Sequence, residues 1–131
     1  MQVLLVVATA IGLSTLTSTH AQAPKAKKTD IRHLQPRDYA RALVLAKWGD
    51  PKEFGCLTKL WGKESAWNYK AKSPTHDYGI PQRHMSHNTP KEINKFLRHP
   101  QNQIQWGLTY IETRYKSPCR AWAKWQQQRW Y

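Results

Sequence analysis

The stretch Leu57-Thr58-Lys59-Leu60-Trp61-Gly62-Lys63-Glu64-Ser65-Ala66-Trp67-Asn68 sets the interpretation of the whole chain. Leu57, Leu60, Trp61 and Trp67 recur at three- and four-residue spacing, which marks one apolar face of a helix. Glu64 falls on that face, one turn after Leu60 and Trp61 and one turn before Trp67. A carboxyl among aromatics on the packed side of a helix resists ionising, because burial disfavours charge. A carboxyl protonated at rest is what a general acid requires. The plain alternative is a surface glutamate in an ion pair. Its neighbours four residues away, Leu60 and Asn68, cannot pair with it, and Lys63 lies elsewhere around the helix. The residues alone leave two possibilities open: a general acid, or a half-buried glutamate that the helix tolerates.

Outward from this stretch the chain reads as helices divided by strong punctuation. Asp50-Pro51-Lys52-Glu53 offers an N-cap, a proline and a capping-box residue, so a helix starts there. It is either one element through Trp67 or two broken near Gly55. Upstream, Pro36 opens a helix to about Trp48, with Tyr39, Ala42, Leu43 and Ala46 on one face. From Ala71 to Asn88 the pattern dissolves into an irregular segment with room for a short strand or hairpin. Thr89-Pro90-Lys91-Glu92 repeats the capping arrangement, leading into Ile93, Phe96 and Leu97. Pro100 opens the longest helix, with Ile104, Leu108, Ile111 and Tyr115 as its buried stripe, and Ser117-Pro118 ends it. The tail from Cys119 to Tyr131 carries Trp122, Trp125 and Trp130, which suits a short helix folded back over the core. The expected class is mainly α, with an irregular loop or short β insertion around residues 71–88.

The amino-terminal run from Val3 to Leu16 is apolar and ends in Thr19-His20-Ala21-Gln22-Ala23. An A-x-A site before Pro24 reads as a signal peptide, residues 1–23, cleaved after Ala23. The run is short of the roughly twenty apolar residues of a membrane span. Against export, no lysine or arginine precedes it. Residues 24–36 are polar and basic, a linker, and residues 37–131 form one small domain. Cys56 and Cys119 are its two cysteines; in an oxidising compartment they are expected to pair, the alternative being two buried thiols. A loop of that length contributes roughly 4 kcal/mol in the chain-entropy model.

Lysine and arginine number 21 against 8 aspartate and glutamate. Such a surface attracts polyanions: nucleic acid, anionic wall polymers or acidic membrane. Export disfavours nucleic acid, and the basic residues are spread along the chain as a solvated surface would have them.

The 8 acids can be sorted by elimination. Asp50, Glu53 and Glu92 have capping roles, and Asp38 sits in a helix first turn, where negative charge is favoured. Glu112 has Lys116 four residues on, and Asp30 lies in the linker. Glu64 and Asp77 remain. Asp77 is either a second catalytic acid or, as Asp-Tyr-Gly favours, a turn residue bonding nearby backbone N–H groups. A lone buried acid suits a reaction in which the substrate supplies its own nucleophile. Of the 7 tryptophans, Trp61, Trp106 and Trp122 read as core, and Trp67 beside the acid as the groove aromatic. His76, His84 and His87 share a loop, but no carboxylate or cysteine completes a zinc set, so no metal or other cofactor is expected.

Glu64-Ser65, the Ala71-Lys72-Ser73 segment, Tyr78-Gly79-Ile80-Pro81-Gln82, the run Asn102 to Ile111 and Ala121-Trp122-Ala123-Lys124-Trp125 together resemble soluble lytic transglycosylases of the lysozyme-like superfamily. The likeness runs from about Tyr39 onward, and its later segments resemble the later helices of secreted members with cysteines near the positions of Cys56 and Cys119. It implies a lysozyme-like helical domain in which Glu64 cleaves the bond between N-acetylmuramic acid and N-acetylglucosamine, leaving a 1,6-anhydro end. It further implies that Gln82 lines the groove, with Ser65 and Tyr78 beside the acid. Ile80-Pro81 departs from the family's Leu-Met, and the family's later Ala-Tyr-Asn has no clear counterpart; Tyr131 is a candidate substitute that nothing in the sequence supports. The implied partners are peptidoglycan glycan strands and, by charge, anionic wall polymers, met by a secreted or wall-associated monomer. The competing classes are a water-using muramidase, a non-catalytic wall-binding protein on the same fold, and a basic nucleic-acid-binding protein.

Overall fold

Proline opens every helix among the described residues, at the first helical position, where a missing N–H costs nothing. The computed structural model describes residues 12–22 and 29–131. Most of the leader expected over residues 1–23 and much of the basic linker over 24–36 lie outside the described residues. The helices are α1 (Pro36–Trp48), α2 (Pro51–Ser65), α3 (Pro90–Leu97), α4 (Pro100–Tyr115) and α5 (Pro118–Gln128). Strands β1 (Asp77–Tyr78) and β2 (Arg83–His84) form an antiparallel hairpin between α2 and α3, pairing Asp77 with His84 and Tyr78 with Arg83. No helix among the described residues is long and apolar enough to cross a membrane.

The capping chemistry holds with one exchange of partners. Thr89 and Glu92 form the reciprocal capping box of α3. Asp50 caps α2 by accepting from the Lys52 N–H. Glu53 does not close a box there; its carboxylate accepts the Cys119 N–H at 2.8 Å, satisfying an orphan donor at the start of α5. Glu112, expected to pair with Lys116, instead meets Lys47 of α1.

The core gathers Leu57, Leu60 and Trp61 of α2, Ile104, Leu108 and Ile111 of α4, Ala121 of α5 and Ile80 of the hairpin. From α1 it takes Tyr39, Ala40 and Val44, a face turned slightly from the expected one, for Ala46 is exposed. Ile31, assigned to the linker, also packs against this core. Helix α2 runs unbroken through Gly55, where an added Cβ would meet nothing within 4 Å. It stops at Ser65 rather than reaching Trp67, since Ala66 and Trp67 both take positive φ, 51° and 60°. The Cys56–Cys119 disulfide joins α2 to α5, with a Cα separation of 4.9 Å.

Two glycines let elements approach more closely than any side chain would permit. A Cβ on Gly107 would lie 2.6 Å from the Trp61 ring and 2.9 Å from Pro81, so α4 presses its backbone against α2 and the hairpin turn. Gly79, at φ +76°, leaves room for the fully buried Gln103. The Gln103 amide accepts the Ile80 N–H at 2.8 Å and donates to the carbonyls of Tyr69 and Phe96, both at 2.9 Å. One side chain thus ties the hairpin to α3 and α4.

Candidate active site

Glu64 occupies the last turn of α2, where the chain must turn sharply away. Its half-buried side chain faces a groove of about 540 Å³ whose wall also includes Asp77, Gln82, Trp106, Tyr110 and Tyr131. Burial raises the Glu64 pKa above the ordinary glutamate range; the Trp125 indole tempers the rise, and the negative charge of Asp77 adds to it. The negative end of the α2 dipole acts in the same sense. The carboxyl is therefore held toward its protonated form, with room beside it for a substrate.

Asp77 stands across the groove in a different state. Its carboxylate accepts from Ser73 Oγ at 2.9 Å and Thr75 Oγ1 at 2.6 Å, and meets His84 Nδ1 at 3.0 Å. Burial opposes its ionisation, but the hydrogen bonds from Thr75, His84 and Ser73 outweigh it and hold the pKa below the usual range. It organises the hairpin as a turn residue would, through side-chain donors rather than the backbone N–H groups anticipated. His84 is committed to this pair, and no group of three or more His, Cys, Asp or Glu among the described residues could hold a metal.

The remaining expected residues divide. Gln82 lines the groove at φ +54°, its amide donating to the Gly79 carbonyl at 3.0 Å. Ser65 lies behind it, Oγ donating to the Ile80 carbonyl at 2.8 Å and fixing the hairpin turn against the end of α2. Tyr78 is half-buried in β1 and is not part of the groove lining. Trp67 is in the core, edge-to-face with Trp61 at 5.3 Å, its N–H held by the Thr58 carbonyl. Trp106, expected in the core, takes the groove position instead, stacked on Tyr110 at 5.2 Å. Flat aromatic faces in such a wall suit sugar rings.

The carboxy-terminal tail completes the site. Arg129 adopts φ +64°, turning the chain so that Arg129, Trp130 and Tyr131 line the groove, with the Tyr131 ring edge-on to Tyr110 of α4 at 5.6 Å. The Tyr131 hydroxyl accepts the Trp61 indole N–H at 2.8 Å and donates to the Pro81 carbonyl at 2.9 Å. Burial drives its pKa well up, so it stays neutral. With its one proton on Pro81, it braces the groove floor rather than donating to Glu64. Arg114, Arg129 and Tyr110 of the lining carried no signal in the sequence beyond charge and aromaticity.

The five helices among the described residues and their short hairpin, with a half-buried glutamate closing one helix and opening onto an aromatic groove, define a small lysozyme-like helical domain. Residues 46–125 match the family described as Transglycosylase SLT domain, and the chain belongs to that family. No curated protein and no solved structure matches the chain. Membership supports a function of the lytic-transglycosylase type in general. The matched span ends before Arg129, so the tail that closes the groove lies outside it.

Proposed function

We propose that the protein is a secreted, monomeric peptidoglycan lytic transglycosylase that cleaves the β-1,4 bond between N-acetylmuramic acid and N-acetylglucosamine, with Glu64 as its single general acid and base. The observation that carries this is the half-buried Glu64, its pKa raised by burial, facing an aromatic groove in a chain of the transglycosylase family. The protonated Glu64 gives its proton to the glycosidic oxygen as the bond from that oxygen to the muramoyl C1 breaks. The resulting carboxylate takes the proton of the muramoyl C6 hydroxyl, whose oxygen closes onto C1. Glu64 ends protonated, no water is consumed, and the product carries a 1,6-anhydro ring. Ring closure within one held sugar has the proximity advantage of an intramolecular attack. The three donors engaged by Asp77 support a single-acid scheme. The positive surface, 21 basic against 8 acidic residues, would hold the enzyme near anionic wall polymers.

One observation favours a second scheme. Asp77 lines the same groove in its ionised form, as the base of a water-using muramidase would. Mass spectrometry of products released from purified peptidoglycan separates the schemes. The expected result is muropeptides one water lighter than hydrolytic ones, absent with Glu64→Gln. Reducing ends that disappear with Asp77→Asn would establish the muramidase. No Glu64-dependent product from folded, oxidised protein would leave a wall-binding protein.

A further inference from the structure

The groove does not stop at Trp106. That ring also forms one side of a neighbouring hollow of about 370 Å³, shared with Arg83, Phe96, Lys95, Asn88 and Asn102. Gln82, in its left-handed conformation, delivers the next residue, Arg83, into β2. The Arg83 guanidinium lies 5.3 Å from the centre of the Phe96 ring and 5.0 Å from that of Trp106. Those two rings are perpendicular, 6.4 Å apart, so the cation rests against two differently oriented faces. Such contacts restrict a side chain that is otherwise among the most mobile.

Hydrogen bonds from Thr89 chiefly lower the Glu92 pKa, and the charge of this ordered cation reaches Glu92 and helps, but the two make no direct contact. Among the described residues Arg83 enters no ion pair. Glu92 borders the same hollow, but its Oε2 accepts from Thr89 N at 2.7 Å and Thr89 Oγ1 at 2.9 Å, in the α3 capping box. Lys95 lines the hollow together with Arg83, so cations outnumber carboxylates there; the Asn102 amide adds a donor, while Asn88 Nδ2 donates to Glu92 Oε2 at 3.5 Å. A held planar guanidinium beside an amide-lined hollow matches a carboxylate in shape and charge better than it matches a neutral hexosamine.

We propose that this hollow is a subsite for a free carboxylate of a peptide stem carried by the glycan strand, so that Arg83 makes the enzyme favour peptide-bearing over bare strands. The inference rests on the peptidoglycan reaction proposed above. Trp106 supplies the continuity, because its side chain lines both the groove and the hollow.

The test compares KM for soluble peptide-bearing strands with KM for the same strands after amidation of their peptide carboxylates. The wild-type protein is expected to show a KM on the order of tenfold lower for the carboxylate form, the scale of one charge-assisted contact. Arg83→Met keeps apolar contact with the two rings and removes the charge, and should bring that ratio near one; Arg83→Lys should fall between. A folding defect weakens both substrates and leaves the ratio intact, so damage and loss of the subsite are told apart. A wild-type ratio near one, or a ratio that Arg83→Met does not change, overturns the proposal. The same pair of strands is also titrated against Glu64→Gln with and without Arg83→Met. Carboxylate- and Arg83-dependent binding by a protein whose parent shows no turnover would sustain the subsite while removing the reaction. Turnover without carboxylate dependence would do the reverse.

Discussion

Two carboxyls share one groove and are pushed in opposite directions, which gives each a distinct signature in stability. Burial raises the pKa of Glu64, so folding is disfavoured once pH climbs above the unfolded value of about 4.3 and the group ionises on unfolding. Replacing it with glutamine removes that handicap: Glu64→Gln should melt higher than wild type at neutral pH, with the gain vanishing in acid. Asp77 is the mirror case, its pKa lowered by Thr75, His84 and Ser73 against the opposing pull of burial. The stability it contributes is present above the unfolded value of about 3.9 and is lost as pH falls through the folded one. Asp77→Asn should therefore melt lower at neutral pH, and the deficit should narrow in acid. Thermal melts of the three proteins across pH 3 to 8, a window bracketing ordinary carboxyl values of about 4, check both signs at once. Activity should fall on the alkaline side as Glu64 loses its proton, with an apparent pKa above that of free glutamate. Glu64 was legible in the sequence because its neighbours on the helix face declared its burial. The aromatics were not: the reversal at Ala66 carries Trp67 inward, and only the position of the hairpin decides that Trp106 stays outside.

Where elements meet, the site depends on the fit of Gly79 to Gln103. A Cβ at residue 79 would lie 2.4 Å from Gln103 Oε1, on a backbone whose φ of +76° already disfavours a side chain. Gly79→Ala should cost about 3 kcal/mol, strain and steric clash together. Gln103→Ala leaves the Ile80 N–H and the Tyr69 and Phe96 carbonyls without their partner, for a loss of roughly 3–5 kcal/mol. It also clears the space that the new Cβ needs. In the double variant Gly79→Ala should then cost only its backbone strain, about 1–2 kcal/mol, so the two effects should fall short of additivity. Urea denaturation of the four proteins gives this coupling directly, and strict additivity would mean that the hairpin relaxes away from Gln103. Helix starts were readable because a proline and its cap are adjacent in the chain. Gln103 was not, because its three partners lie 7 to 34 residues away. Glu53 and Glu112 had sound local partners and took distant ones, Cys119 and Lys47, since tertiary contacts outweigh pairs worth a few tenths of a kcal/mol.

For the molecule as a whole, the Cys56–Cys119 bridge does more than shorten the unfolded chain. It closes a loop of sequence separation 63, worth roughly 4 kcal/mol in the entropy model. It also ties α2, which ends in Glu64, to α5, which leads directly into the groove-lining residues Arg129, Trp130 and Tyr131. The carboxylate of Glu53 holds the Cys119 N–H on the same seam, so α5 keeps one tether when the bridge is reduced. Its apolar contacts, through Ala121, Trp122 and Trp125, also remain. Reduction should therefore leave a helical protein at low temperature, with a melting point lower by on the order of 20 °C for a domain of this size. Turnover should be lost well below the new melting point, because Tyr131 must reach Trp61 and Pro81 across that seam to complete the groove floor. Circular dichroism and product release, followed together against temperature with and without reductant, measure the two effects separately. Coincident loss of helix and activity would show that the bridge stabilises only the fold. Activity failing first would show that it also positions the tail against Glu64.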